Sequence, residues 1–247
     1  AASDVYKRQA LQDLRETFDE KDFLGLPVVD DTGRLCGVVS RGAVMRASTS
    51  EQTDAFLKLS GIIGGEELRS MPFWSRCLRR LAWLGPNIIL NLLAASVIAT
   101  FEGTLQAVIA LAVFLPIVSD MSGCSGNQAV AVSIRELTLG VIRPGDYFRV
   151  AMKEGSVGMV NGVVLGILLG AAAFLWKGNI YLGLVVACAL SLNTVLSVLL
   201  GGLVPLGLKR FGVDPALASG PILTTCTDMC GFFLVLSLAS ACLAQLS

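Results

Sequence analysis

The residues best suited to chemistry lie in Gly220-Pro-Ile-Leu-Thr-Thr-Cys-Thr-Asp-Met-Cys-Gly231, a polar island inside an apolar run over residues 217–246. At about 1.5 Å per residue, Asp228 lies about 20 Å along a helix from Pro215, near the middle of a roughly 30 Å hydrocarbon core. A carboxylate at that depth is costly unless it faces protein, water or a cation. Gly220, Thr224, Thr227, Asp228 and Gly231 recur at i, i+4, i+7, i+8 and i+11, so a helix places them on one small, hydroxyl-lined, singly acidic face. Such a face is unsuited to lipid. It fits a cation position on a transport path, or a protonated Asp228 hydrogen-bonded to a neighbouring helix. Cys226 and Cys230, one turn apart beside Asp228, read as small packing residues rather than soft-metal ligands.

A second polar centre is Ser119-Asp-Met-Ser-Gly-Cys-Ser-Gly-Asn-Gln128. Asp120 lies about 15 residues in from the end of its own apolar run, close to the depth of Asp228. Asp120, Cys124, Asn127 and Ala131 share one face if the helix is continuous. Gly123 and Gly126 are able to open it and expose backbone carbonyls, which is tolerated at this depth only beside protein or a water-filled cavity. Ser119-Asp-Met-Ser-Gly123 and Thr227-Asp-Met-Cys-Gly231 share a pattern on spans of opposite direction, as inverted repeats do where they meet at a membrane midplane. The donor chemistry fits Mg2+, which demands octahedral oxygen, dehydrates reluctantly and is usually held by one or two carboxylates plus retained waters. One Asp per chain, doubled by a two-fold axis, would present two carboxylates to a hydrated ion. A soft-metal site would want thiolates or imidazoles in quantity.

The elements that must carry these centres follow from composition. The 247 residues are 54% hydrophobic, with a mean hydropathy of +0.71, too apolar for an ordinary soluble domain. Residues 1–80 hold 12 Lys+Arg and 12 Asp+Glu, leaving 7 of each to residues 81–247. A hydrophilic segment therefore precedes a membrane domain. Net charge is zero and no basic block suggests nucleic acid. The absence of His removes the commonest transition-metal ligand and general base. The seven Cys form neither a CxxC pair nor a dense disulfide pattern. No signal peptide is read at the start of the chain, whose first 80 residues are hydrophilic.

Five spans are expected, over about 81–101, 105–137, 157–176, 180–206 and the run holding Asp228. Pro86, Asn87 and Asn91 fall in the first, and the polar centre interrupts the second. In the third, Gly158, Gly162, Gly166 and Gly170 form a stripe that lets another helix approach closely. Arg135, Arg143, Arg149 and Lys153 lie between spans two and three, Lys209 and Arg210 between four and five, and only Lys177 on the other side. The positive-inside rule then puts the amino terminus in the cytoplasm and the carboxyl terminus outside a cell membrane.

Residues 1–10 carry no assignable pattern. Residues 11–23 read as a short helix, 26–30 as a strand, 31–33 as a tight turn and 34–39 as a second strand, with Ser40 capping a helix to about Ala47. Leu26-Pro-Val-Val-Asp30, the Gly turn and Gly37-Val-Val-Ser40 resemble the second half of a CBS motif over residues 11–47. Such motifs pair, which implies a larger regulatory region. Ala43 stands where nucleotide-binding members carry an Asp, so adenosine binding is not expected at this motif. Residues 48–80 read as a connecting helix opened by a capping box at Ser48-Thr-Ser-Glu51, then a membrane-surface segment over 71–84, where Phe73 and Trp74 alternate with Arg76, Arg79 and Arg80.

The membrane part resembles the MgtE family of magnesium transporters. The residues that carry the resemblance are Ser125-Gly-Asn-Gln128, Ile134-Arg-Glu-Leu137, Asp214-Pro-Ala-Leu-Ala-Ser-Gly-Pro221 and Thr224-Thr-Cys-Thr-Asp228. It implies an all-α polytopic domain of five transmembrane helices over residues 81–247, preceded by a partial α/β CBS motif and a cytoplasmic connecting helix. It implies Mg2+ as transported and regulatory ion, a homodimer in the bilayer with the pore between subunits, and no enzymatic activity. By the same resemblance Asp228 is the pore aspartate, Thr224 contributes a backbone oxygen near it, and Asn127 is a pore-lining amide. This chain has Ser122-Gly-Cys124 where members often read Gly-Gly-Asn, so one pore amide is a thiol and Asp120 is an added acid. Asp120 either faces the ion or bonds Ser or Thr groups between helices. Three other readings are a secondary transporter exchanging a divalent cation for H+ or Na+, an intramembrane aspartyl protease built on Asp120 and Asp228, and a non-transporting membrane sensor built on the CBS segment, against which the acidic face argues. The protease family's Gly-x-Gly-Asp signature is absent.

Overall fold

The computed structural model describes residues 5–6, 11–30, 32–59, 61–62 and 68–246. They fall into two compact units, Ala1–Pro72 and Phe73–Ser247.

The first unit contains β1 (Val5–Tyr6), α1 (Leu11–Glu20), β2 (Gly25–Val29), β3 (Leu35–Ser40) and α2 (Arg41–Leu59). The sheet order is β1-β2-β3, with β1 parallel and β3 antiparallel to β2. Phe18, Leu26 and Val44 form its buried centre, with Leu11, Leu14 and Val39 against them. The Asp30 carboxylate organises the β2–β3 turn. Its Oδ1 accepts from the Thr32 hydroxyl at 2.6 Å and from the Thr32 and Arg34 amides at 2.9 Å each. The Thr32 hydroxyl first, then the Arg34 amide, hold this carboxyl below the usual carboxylate range. Gly33 supplies the φ of 76° that closes the turn. Ser40 Oγ accepts from the Ala43 amide at 3.3 Å, the expected cap of α2.

Two local expectations are corrected here. Residues 5–6 form β1, too short to show a period in sequence. The helix break expected between Ala47 and Ser48 is not formed, and α2 runs through both. No Gly or Pro interrupts the backbone there. Thr49 and Thr53 donate their hydroxyls to the carbonyls of Met45 and Thr49, each at 2.9 Å, so these residues sit inside the helix and do not start a new one. Gly61, at φ 77°, follows the helix end. Asp31 of the expected turn, Ser60 and residues 63–67 of the expected connecting segment lie outside the described residues.

The second unit contains α3 (Phe73–Thr100), α4 (Glu102–Ala107), α5 (Leu111–Thr138), α6 (Tyr147–Lys177), α7 (Ile180–Arg210), α8 (Pro215–Ala241) and α9 (Leu243–Leu246). Among the described residues four helices are long and apolar enough to cross a membrane: α3, α6, α7 and Ser219–Ala241 of α8. α5 has 28 residues, so its length of about 42 Å would suffice, but its Ser- and Gly-rich centre lowers its hydropathy. The surface segment and first span expected around residue 81 are one continuous helix, α3, with Pro86 inside it.

α7 is the centre of this unit: 56% of its apolar window is buried, against 6% for α3. The glycine stripe of α6 packs on it. A Cβ at Gly162 would stand 2.6 Å from Ser191 O, and one at Gly170 would stand 2.7 Å from Gly183 O. The stripe predicted a tight contact; its partner is α7. α5 is uninterrupted through Gly123 and Gly126, so of the two arrangements these glycines permit the continuous helix is the one formed. Gly126 is used for closeness: a Cβ there would meet Ser197 Oγ, Ser197 O at 2.9 Å and Leu223 Cδ2 at 3.0 Å. An opened helix would lose its backbone hydrogen bonds for no gain in that dry contact.

One end of the unit gathers Ile142, Val150 and Leu206, joining the α5–α6 connection to the last turns of α7. At the α6–α7 turn, Asn179 caps α7 and donates from Nδ2 to the carbonyl of Gln245 in α9 at 3.0 Å. Arg135, Arg143, Arg149, Lys153, Lys209 and Arg210 thus cluster in sequence at the first end, and Lys177 at the second.

Candidate functional site

α8 begins where Asp214 accepts the Ala216 amide at 3.0 Å and Pro215 takes the first helical position, an arrangement suited to a helix start. Thirteen residues on, Asp228 stands half-buried on the side of α8 that meets α5. The Ser119 hydroxyl donates to Asp228 Oδ1. The two similar sequences cross at this point. A Cβ at Gly231 would stand 3.8 Å from Ser119 Cα, and one at Gly123 would stand 3.8 Å from Thr227 Oγ1. The first position of each five-residue pattern therefore meets the last position of the other.

Behind the crossing lies a polar seam between α5, α7 and α8. Ser122, Asn193, Thr194 and Ser197 are fully buried, and Thr227 is 1% exposed. Asn193 Nδ2 donates to Ser122 Oγ at 2.5 Å and to Thr227 O at 3.1 Å. Ser197 Oγ donates to Ser122 O at 2.6 Å, and Ser133 Oγ to Gly202 O at 3.0 Å. Each of these bonds satisfies a buried group, as an apolar interior requires. Two atoms of the described residues are exceptions: Asn193 Oδ1 and Thr194 Oγ1 have no partner.

The face expected on α8 is divided. Thr227 and Gly231 turn inward to α5 and α7, Thr224 is exposed, and Asp228 lies between. Neighbouring helical residues point about 100° apart, so a face that includes both Thr227 and Asp228 straddles the edge of the packed surface. The Thr224 carbonyl accepts from Thr227 Oγ1 at 3.0 Å. On α5 the expected face is intact: Asp120, Cys124, Asn127 and Ala131 are all exposed on the single chain. Asp120 is near enough to Asp228 for their charges to interact. Among the described residues no three Cys, Asp or Glu side chains gather to hold a metal ion. The arrangement therefore offers carboxylate, hydroxyl and amide oxygens spread along a surface, suited to an ion that keeps most of its water.

Sequence reasoning missed Ser119 as the donor to Asp228, and missed Asn193, Thr194 and Ser197. The latter three are polar residues within an apolar span, and that contrast alone could have singled them out.

A family model described as the divalent cation transporter MgtE matches residues 115–238. A CBS domain model matches residues 5–50, taking in β1 and α2 as far as residue 50. The chain is 35% identical over 222 residues to "Magnesium transporter MgtE" of Thermus thermophilus, covering 88% of this chain and 48% of that protein. It is 32% identical over 241 residues to the protein of the same name from Bacillus subtilis, covering 96% and 53%. For the Enterococcus faecalis protein of that name the identity is 29% over 229 residues, covering 93% and 50%. The chain spans about half the length of the curated relatives it matches.

Proposed function

Because the chain belongs to the MgtE family of divalent cation transporters, whose members are transporters and not enzymes, we propose that it conducts hydrated Mg2+ with Asp228 as principal ligand. It is a multi-pass membrane protein, and the protease reading of Asp120 and Asp228 falls with the family. The proteins it is similar to are named magnesium transporters, which supports Mg2+ as the cargo here. The observation that carries the site is the Ser119–Asp228 bond at the α5–α8 crossing, beside an exposed stripe of Asp120, Cys124 and Asn127.

The remaining parts of the reading follow from that stripe. An acid and an amide at mid-membrane depth cannot face lipid. A second copy of the chain, related by a two-fold axis, would cover the stripe and leave a polar path between subunits. Two Asp228 carboxylates would then meet one hydrated ion, with Asn127, Thr224 O and Asp120 holding its waters. α5 completes the five spans in this reading, packed against α7 and α8. The basic end of the unit faces the cytoplasm by the positive-inside rule, which sets the amino terminus inside and the carboxyl terminus outside. The CBS region regulates conduction, with Mg2+ as the regulatory ion, and does not itself conduct.

The test is uptake of Mg2+ into liposomes. Asp228→Asn removes the charge at nearly constant volume, so a folded variant should lose uptake; wild-type rates would refute the assignment. Coupled exchange with H+ or Na+ is a second reading, favoured by the reciprocal crossing of the two five-residue patterns, since inverted repeats are common in secondary transporters. Uptake that follows the Mg2+ gradient alone, whatever the H+ or Na+ gradient, excludes it.

A further inference from the structure

Asn193 lies on α7, which carries none of the residues assigned to the ion, and its side chain is fully buried. Its Nδ2 donates to Ser122 Oγ on α5 and to Thr227 O on α8. Thr227 immediately precedes Asp228. Ser122 lies one turn beyond Ser119, whose hydroxyl holds the Asp228 carboxylate. One amide thus ties together two helices at the level of the ion.

The orientation of that amide is determined by its neighbours. The Ser122 hydroxyl hydrogen goes to Val118 O at 2.7 Å, so Ser122 Oγ is left to accept. Thr227 O can only accept. A rotated amide would point its carbonyl at another carbonyl. Both Nδ2 hydrogens are therefore used, and Oδ1 is left without a donor. A buried acceptor in that condition is costly, whereas an apolar side chain of similar volume avoids the cost. An Asn here is thus explained by its donor end. α8 is fitted closely around it: a Cβ at Gly231 would stand 2.7 Å from Nδ2.

We propose that Asn193 is a positioning residue for the cation site. It fixes the height of α8 against α5, and with it the meeting of Ser119 and Asp228 on which discrimination between hydrated ions depends. This rests on the reading that Asp228 holds the ion.

The test uses the intact protein in liposomes, measuring Mg2+ uptake against concentration and its inhibition by Ca2+, a larger divalent cation. Asn193→Leu removes the donor and keeps the number and branching of the side-chain heavy atoms. It should raise the half-saturating Mg2+ concentration about ten-fold, the effect of losing its two buried hydrogen bonds at roughly three-fold each, and strengthen inhibition by Ca2+ relative to Mg2+. Maximal rate should change less. Thr194→Val, at the next residue, removes a buried hydroxyl that has no partner and should leave both quantities at wild-type values. If Asn193→Leu does not fold, Ser122→Ala removes one of the two acceptors and should move both quantities the same way, by roughly three-fold, as half of that effect. Unchanged half-saturation and Ca2+ sensitivity in either folded variant overturns the proposal. So does an equal effect from Thr194→Val, which would reduce Asn193 to packing. Asp228→Asn measured in parallel separates the two readings. Full uptake there sinks the ion site itself; lost uptake there with Asn193→Leu unchanged sinks the positioning role alone.

Discussion

Two glycines of α6, Gly155 and Gly162, invite the same substitution and should answer it oppositely. Ala is worth roughly 1 kcal/mol over Gly in a helix interior, from backbone entropy. At Gly155 the nearest atom to a new Cβ is Leu199 Cδ2 at 3.4 Å, the far end of a flexible side chain. Gly155→Ala should therefore keep most of that gain. At Gly162 the new Cβ would stand 2.6 Å from Ser191 O, a backbone atom of α7 that no rotamer can move. The same Ser191 donates its hydroxyl to Gly162 O at 2.9 Å, so separating the helices weakens that bond as well. Overpacking of this kind costs roughly 1–3 kcal/mol, which exceeds the propensity gain. The propensity gain is common to both sites and cancels, so the two variants should differ by the overpacking cost, about 1–3 kcal/mol, with Gly155→Ala the more stable. At roughly 2–4 °C per kcal/mol for a chain of this size, their unfolding midpoints in detergent should lie about 2–12 °C apart. A Gly162→Ala midpoint equal to or above that of Gly155→Ala would refute the close α6–α7 contact.

Three further outcomes are expected. Ser119→Ala removes the hydroxyl that holds Asp228; half-saturating Mg2+ in liposome uptake should rise roughly ten-fold, as for other hydrogen bonds to charged groups, with the fold intact. Asp120→Asn should leave substantial Mg2+ uptake in liposomes, where Asp228→Asn loses it; lost uptake in a folded Asp120→Asn variant would overturn the ranking of the two acids. In the first unit, the Asp30 carboxyl is held below its usual 3.8, so its support of the β2–β3 turn is present above that pH and is lost as pH falls through the lower folded value. Protection of the Arg34 amide against exchange, taken relative to the intrinsic rate at each pH, should therefore fall as pH drops below 3.8, and Asp30→Ala should remove that pH dependence.

Sequence reached what the solvent dictates. A hydrocarbon core demands long apolar helices, so the extents of α7 and α8 were legible within a few residues. Asp228 stood out for the same reason. By contrast α6 starts at Tyr147, well ahead of the span expected from residue 157, because its charged first turns lie outside the apolar run. What sequence could not reach was the identity of neighbours. The α6 stripe announces a contact but any smooth helix would fit it; only the structure gives Ser191 and Gly183 of α7 as its partners. Gly123 and Gly126 permit either an opened helix or a close one, and tertiary packing against Ser197 decides for the second. Residues 180–206 form one apolar run whose length dominates its signal, and the single amide of Asn193 carries no charge to stand out within it, although it breaks the apolar pattern as Asp228 does.

The crossing of the two five-residue patterns bears on why two aspartates of like depth should differ in role. Each pattern opens on a hydroxyl residue, then Asp: Ser119-Asp120 and Thr227-Asp228. Perfect two-fold equivalence would have each hydroxyl hold the other pattern's carboxylate. Ser119 does so toward Asp228. Thr227 instead donates to Thr224 O at 3.0 Å within its own helix. The branched Cβ of Thr restricts χ1 in a helix, and one of its favoured rotamers sends the hydroxyl back to the preceding turn. Thr227 is further confined by Asn193, which bonds its carbonyl from the other side. Asp228 is thus oriented by a neighbouring helix, while Asp120 stands exposed on α5. A carboxylate already held in place loses little freedom on meeting an ion's hydration shell. That difference supports Asp228 as the principal ligand and Asp120 as a modifier of the field around it.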